Sequence, residues 1–133
     1  MKVVLVTIML CTFGIGDVAT AHANPDVVDA ARQAIGSPYV WGASGPNAFD
    51  CSGLVVWAYQ QIGISLPHSS QALAVGGEPV DRNDIQPGDV VTYYPGATHA
   101  AIAVDANDVV EASHTVVEVP LDAAGPFHNA RRY

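Results

Sequence analysis

Hydrophobic residues in the first half of the chain recur at helical spacing. Asn24 and Pro25 form a typical helix start, because asparagine caps helix N-termini and proline is favoured at the first helical position. Hydrophobic residues then recur three and four positions apart as far as Ile35. A second run with this spacing covers residues 51–62, and a serine pair predicts the cap of a short third helix over residues 69–75.

The second half of the chain consists of short β-branched and aromatic runs separated by turns. Such runs predict β-strands. The predicted strands cover residues 90–94, 99–104, 109–112 and 115–119, and the tail, residues 127–133, is expected to add an edge strand. Helices that precede strands along one chain indicate an α+β fold with an antiparallel sheet.

The N-terminal segment resembles a secretory signal. Lys2 supplies a positive charge, residues 3–10 form an apolar run, and Ala21-His22-Ala23 has the small-x-small form of a cleavage site. The apolar run is too short for a stable membrane span. Cys11 raises the alternative of a lipoprotein, but the bulky Leu10 before it argues against that. We therefore expect a signal peptide over residues 1–23.

Cleavage after residue 23 would leave residues 24–133 as a single domain with a modest core. The chain has 13 acidic against 5 basic residues and a net charge of −8. A chain this acidic lacks the basic surface that nucleic acid or anionic lipid requires. We expect a secreted monomer that binds no nucleic acid and, after cleavage, no membrane.

Cys51 is the only cysteine of the predicted mature chain. An odd thiol in an exported protein forms an intermolecular bridge, lies buried and inert, or is reactive. Cys51 begins the second predicted helix, on the same hydrophobic face as Leu54 and Val55, so its side chain should point toward the body of the protein. A helix N-terminus also favours a thiolate, which is the nucleophilic form.

His99 and Glu111 complete a candidate catalytic set. An imidazole can hold the thiol proton, and a carboxylate on its other ring nitrogen would orient it. Side chains alternate faces along strands, so the loop between the two strands decides whether they meet. A two-residue loop at residues 106–107 would separate them and set His114 opposite His99. A three-residue loop at residues 104–106, or a bulge, would set Glu111 opposite His99. Spacing leaves both possibilities open.

Four motifs in order along the chain resemble the NlpC/P60 family of cell-wall cysteine peptidases, in particular its small secreted actinobacterial members. They are Pro38-Tyr39-Val40-Trp41-Gly42, Asp50-Cys51-Ser52-Gly53, Gln86-Pro87-Gly88-Asp89-Val90-Val91 and His99-Ala100-Ala101-Ile102-Ala103-Val104. The resemblance covers nearly all of residues 25–120. It implies a papain-like fold, with the nucleophile at a helix N-terminus packed on an antiparallel sheet that carries the base. It also implies cleavage of peptidoglycan stem peptides, commonly between D-glutamate and a diamino acid such as meso-diaminopimelate.

The resemblance also assigns residues to roles. It implies Cys51 as nucleophile, His99 as base and Glu111 as the third polar residue, with Tyr39, Asp50 and Ser52 in substrate binding. No cofactor is expected. Some family members have lost the cysteine or the histidine and bind the wall without cutting it. Both residues are present in this chain, so an enzyme is favoured over a binding module, and an amidase or acyl-transfer variant stays open.

Other histidines and aromatic residues have simpler interpretations. His68 belongs by its neighbours to a loop and cap, where it would at most rim the cleft. A metal site built from Cys51, His99 and His114 is disfavoured, because the chain lacks a closely spaced ligand pair. Four aromatic residues are expected in the core rather than at a substrate platform: Trp41, Trp57, Tyr93 and Tyr94.

Overall fold

The structure is a computed structural model that describes residues 22–133. Residues 1–21, which hold most of the predicted signal peptide and Cys11, lie outside the described residues. Within the described part, no helix has the length and apolar character needed to cross a bilayer.

Three helices form where the hydrophobic pattern predicts them. They are α1 (Pro25–Gln33), α2 (Cys51–Gln60) and α3 (Ser70–Leu73). The first two end two residues before the predicted ends, because their last residues form turns. Gly36 and Gly63 follow these turns at φ values of 92° and 79°, a region that favours glycine.

Six strands form one antiparallel sheet in the order β1-β6-β2-β3-β4-β5. They are β1 (Glu78–Val80), β2 (Val90–Tyr93), β3 (His99–Ala103), β4 (Asp108–Ala112), β5 (Val116–Pro120) and β6 (Phe127–Arg132). The α+β class with an antiparallel sheet is therefore confirmed. The sequence did not predict β1, which is three residues long, contains Pro79 and lies at an edge of the sheet.

The tail forms a strand, but the prediction that it lies at the edge is wrong. β6 pairs with β2 on one side and with β1 on the other. Arg132 on β6 holds it there through a bidentate pair, with both contacts to the buried carboxylate of Asp89 at 2.8 Å. Asp89 in turn accepts a hydrogen bond from the Gln86 N–H at 2.8 Å. One carboxylate therefore joins the turn before β2 to the end of the chain.

The hydrophobic core lies between the helices and one face of the sheet. Leu54 and Val55 of α2 are fully buried there with Ile102 of β3 and Val110 of β4. A second cluster on the opposite face includes Tyr93. The hydrophobic face of α2 thus fixes this helix against β3 and β4, and the site described below depends on that placement.

Candidate active site

Asp50 caps the N-terminus of α2. Its Oδ1 accepts the Gly53 N–H at 2.6 Å, and its Oδ2 accepts the Gly42 N–H at 2.9 Å. One carboxylate therefore satisfies a free N–H group of the first helical turn and also ties the preceding loop to the helix. Cys51 follows directly as the first helical residue. Its position is therefore fixed by the Asp50 cap before it and by the helix after it.

Gly53 lets the loop approach the first turn of α2. A Cβ atom at this position would overlap the carbonyl oxygen of Ala43 and lie 2.8 Å from the carboxylate of Asp50. The Ala43 carbonyl accepts the Asp50 N–H at 2.8 Å. The absence of a side chain at Gly53 is thus a steric requirement of the motif that contains the thiol.

His99 and Glu111 contact each other across β3 and β4. Their Nε2 and Oε2 atoms lie 2.6 Å apart, and both side chains are largely buried. Val104 N–H donates to the Asp108 carbonyl, so the connecting loop is the three residues 105–107. It differs from both predicted loops. Continuing the observed register from Ile102↔Val110 places Glu111 across from Ala101, on the same face as His99 and diagonal to it.

The environment of His99 favours its protonated form. Burial lowers the pKa of the imidazole, but side-chain hydrogen bonding and negative charge from Cys51 and Glu111 outweigh burial and raise this pKa to about 9. This raised pKa favours the imidazolium form of His99 at neutral pH. Because Nε2 is bonded to Glu111, Nδ1 is the ring nitrogen left for the thiol.

Tyr39 lies beside the thiol. Partial burial and the negative charges of Cys51 and Asp50 raise the pKa of its hydroxyl. Its backbone N–H donates to the carbonyl of His114 at 3.0 Å, which joins this segment to the β4–β5 loop.

The thiol lies where two cavities meet, and we call the two together the active-site groove. The first cavity, about 460 Å³, is lined by His99, Glu111 and His114 among others. The second, about 560 Å³, is lined by Asp50, Ser52 and His68 among others. Three residues line both cavities: Trp41, Cys51 and Thr98.

Two histidines differ in what they contact. His68 Nε2 lies 2.8 Å from Asp50 Oδ1, so His68 contacts the helix cap and does more than rim the cleft. The structure does not place His114 as the group that orients His99, since Glu111 occupies Nε2. Thr98 was not identified from the sequence as a residue of the groove, although it lines both cavities. Its position directly before His99 was the signal that could have indicated this.

The aromatic residues divide between the core and the groove. Tyr93 is fully buried and Trp57 packs partly buried against the core, as predicted. The prediction is wrong for Trp41, which is 86% exposed, and for Tyr94, which is 42% exposed. Both line the first cavity.

Among residues 22–133, the structure brings no three His, Cys, Asp or Glu side chains into an arrangement that would hold a metal ion.

The predicted roles of Tyr39, Asp50 and Ser52 in substrate binding stay predictions. Tyr39 lines the first cavity, while Asp50 and Ser52 line the second. The Ser52 hydroxyl also donates to Asp50 Oδ1 at 3.4 Å.

Curated relatives are similar to most of this chain. A "probable endopeptidase" of Mycobacterium tuberculosis is 54% identical over 110 residues, which are 80% of this chain and 29% of the relative. A "probable endopeptidase" of Corynebacterium glutamicum is also 54% identical, over 85% of this chain and 55% of the relative. A gamma-DL-glutamyl hydrolase of Bacillus subtilis is 45% identical over 71% of this chain and 24% of the relative. The chain thus spans only part of the length of each.

Solved structures show the same fold. NlpC1 from Trichomonas vaginalis has a TM-score of 0.77 at 28% identity and covers 82% of this chain and 43% of its own. RipD from Mycobacterium tuberculosis, described as a non-catalytic NlpC/p60 domain protein adapted to peptidoglycan binding, has a TM-score of 0.73 at 26% identity. It covers 84% of this chain and 98% of its own. The model of the NlpC/P60 family matches residues 36–128. This chain belongs to the NlpC/P60 family.

Proposed function

We propose that this domain is a cysteine endopeptidase that hydrolyses peptidoglycan stem peptides. The observation that carries the proposal is the linked set of Cys51, His99 and Glu111, with the thiol at the junction of two cavities. The names of the endopeptidase relatives support hydrolysis of a peptide bond. The gamma-DL-glutamyl hydrolase supports a glutamyl bond as the one cleaved. We place that bond between D-glutamate and a diamino acid, with meso-diaminopimelate as the preferred one.

The proposed reaction begins with attack of the Cys51 thiolate on the carbonyl carbon. A carbon–sulfur bond forms, and the carbonyl electron pair moves to oxygen. The backbone N–H of Cys51 is the candidate donor to this oxyanion, because N–H groups of a first helical turn lack intrahelical acceptors. His99 then donates its proton to the leaving nitrogen, the carbon–nitrogen bond breaks, and an acyl-enzyme remains.

Hydrolysis of the acyl-enzyme returns the site to its starting state. Neutral His99 accepts a proton from water, and the resulting hydroxide attacks the thioester carbon. Collapse of this intermediate breaks the carbon–sulfur bond and releases the carboxylate product. The thiolate and the imidazolium are restored, and Glu111 holds the imidazole in place through both steps.

The remaining expectations belong to the same proposal. We propose that the chain is exported through its N-terminal signal, acts at the cell wall as a monomer, and needs no cofactor. Its substrate is then the wall itself, and neither nucleic acid nor membrane is a partner. Export is tested by N-terminal sequencing of the secreted protein, with cleavage after residue 23 as the expected result.

Incubation of the purified domain with muropeptides, followed by mass analysis of the products, tests the activity. We expect cleavage between D-glutamate and the diamino acid by the native protein and none by the Cys51→Ala variant. Ser113→Ala, which lies in the same groove outside the proposed reaction, is the control and should cleave normally. Full cleavage by Cys51→Ala would refute the mechanism, and a different product would point to an amidase or acyl transferase.

A wall-binding module without turnover is the second candidate, which the fold of RipD supports. Alkylation with iodoacetamide separates the two candidates. A thiolate paired with an imidazolium should be alkylated rapidly below the pH at which ordinary thiols react. A Cys51 that reacts only in denaturant, together with retained binding to purified wall, would favour the binding module.

A further inference from the structure

The proposed chemistry gives the groove a direction. His99 must protonate the leaving nitrogen, so the leaving side of the substrate has to lie toward His99. His99 lines the first cavity and not the second. The first cavity therefore receives the residue on the amine side of the cut bond, and the second cavity receives the acyl side.

Cationic groups are scarce along this groove. The residues that line it include three histidines and no arginine or lysine. Two of these histidines already contact a carboxylate of the protein: His68 contacts Asp50 at 2.8 Å, and His99 contacts Glu111 at 2.6 Å. The arginines of the described chain are bonded elsewhere, for example Arg32 to Glu118. His114 is left as the uncommitted basic side chain of the groove.

His114 is held in place by its backbone and free at its side chain. Its carbonyl accepts the Tyr39 N–H at 3.0 Å, and the next residue, Thr115, bridges to Pro38. Among the described residues the imidazole of His114 makes no hydrogen bond, and the residue is exposed on the wall of the first cavity. The structure thus fixes a free imidazole on the leaving side of the thiol.

An imidazole donates an N–H hydrogen bond in either protonation state and adds a positive charge when protonated. Its natural partner is a carboxylate. We propose that His114 is a specificity-determining residue that binds a carboxylate on the leaving residue of the substrate. This inference rests on the proposed function and deepens it: leaving residues with a side-chain carboxylate are preferred over those without one.

Two matched peptides test the proposal. Both carry L-alanyl-γ-D-glutamate on the acyl side, and the leaving residue is either diaminopimelate or lysine, each with its α-carboxyl group amidated. Lysine is diaminopimelate without the side-chain carboxylate. We compare kcat/KM for the native protein, His114→Ala, His114→Arg and the control His128→Ala, whose histidine is exposed and does not line the groove.

The native protein should prefer the diaminopimelate peptide. Since a hydrogen bond to a charged group contributes at least about 1.5 kcal/mol, His114→Ala, which has no donor, should lower kcat/KM for that peptide about tenfold. The lysine peptide should be unaffected, His114→Arg should keep the preference, and His128→Ala should behave as the native protein. An equal loss on both peptides, no loss, or a native protein without preference would overturn the role of His114 and leave the proposed function standing. Failure of the native protein to cleave either peptide would overturn both.

Discussion

Replacing Glu111 with glutamine isolates the charge that the carboxylate supplies to His99. Glutamine has nearly the same shape and keeps an oxygen that can accept a hydrogen bond, so the contact at Nε2 is retained in neutral form. What disappears is the negative charge 2.6 Å from the imidazole. The variant therefore tests whether this charge, rather than a filled space, is what the site needs.

The structure sets the size of the effect. The side chains of His99 and Glu111 are 15% and 9% exposed, so solvent screens their interaction little. A hydrogen bond to a charged group contributes about 1.5–3 kcal/mol and is roughly twice as strong as a neutral one. Losing about half of it costs on the order of 0.75–1.5 kcal/mol, which is about a three- to twelvefold fall in kcat/KM.

The pH profile should change in a defined direction. Glu111 is one of the groups that raise the pKa of His99 to about 9. Without its charge this pKa falls, so the high-pH limb of kcat/KM should move to lower pH. The measurement is kcat/KM on a γ-D-glutamyl-diaminopimelate peptide between about pH 5 and pH 10, a range that spans ordinary and raised histidine pKa values.

Glu118→Gln is the matched control. Glu118 lies on β5, the strand next to β4, and its Oε1 accepts from Arg32 Nε at 2.8 Å in a solvent-exposed pair. Loss of such an exposed pair changes stability little and should not change the pH profile. The reasoning is refuted if Glu111→Gln matches the native protein in both rate and profile, or if Glu118→Gln moves the profile as well.

Three further predictions follow from the same geometry. Gly53→Ala should lower the free energy of unfolding by about 1–3 kcal/mol, because the added Cβ overlaps the Ala43 carbonyl, and urea denaturation measures this. Trp41→Ala should lower kcat/KM about two- to tenfold with an unchanged melting temperature, because this exposed indole lines both cavities and offers an aromatic face to substrate. The raised pKa of His99 stabilises the fold fully below about pH 6.5, and this contribution should be lost as the pH rises to about 9, which urea denaturation across that range detects.

Each of these predictions has a contrary result. Native stability of Gly53→Ala would show that the loop can move away from the helix. A lower melting temperature of Trp41→Ala would mean that the indole supports the fold. Stability that does not fall between pH 6.5 and 9 in the native protein would contradict the proposed protonation of His99.

Much of the architecture was predictable because it follows from local pattern. Hydrophobic spacing and cap residues marked the helices, and β-branched runs marked the strands from β2 to β5. β1 was not predicted, because a segment of three residues that contains a proline carries little strand signal. The place of β6 inside the sheet comes from its pairing with β1 and β2. The contact of Arg132 with Asp89, 43 positions away in sequence, accompanies this pairing, and no local pattern contains either.

The candidate site divides in the same way. A lone cysteine at a helix N-terminus, in an Asp-Cys-Ser-Gly motif followed by a histidine strand, is visible in the residues themselves. The family resemblance pointed to Glu111 as the third partner, but spacing alone left His114 open, because strand faces alternate and a loop one residue longer exchanges them. The three-residue loop at residues 105–107 settled that choice in favour of Glu111.

The sequence by itself determined the helices, most strands, the family motifs and the choice of Cys51 and His99 as candidates. Each of these follows from residues that are neighbours in the chain. The tertiary structure alone decided that Glu111 contacts His99, that His68 contacts Asp50, and that the exposed His114 lies on the wall of the first cavity. These outcomes depend on strand register and on loops packed against α2. Such contacts join residues far apart in the chain, and their free energy is realised only when the whole domain is folded.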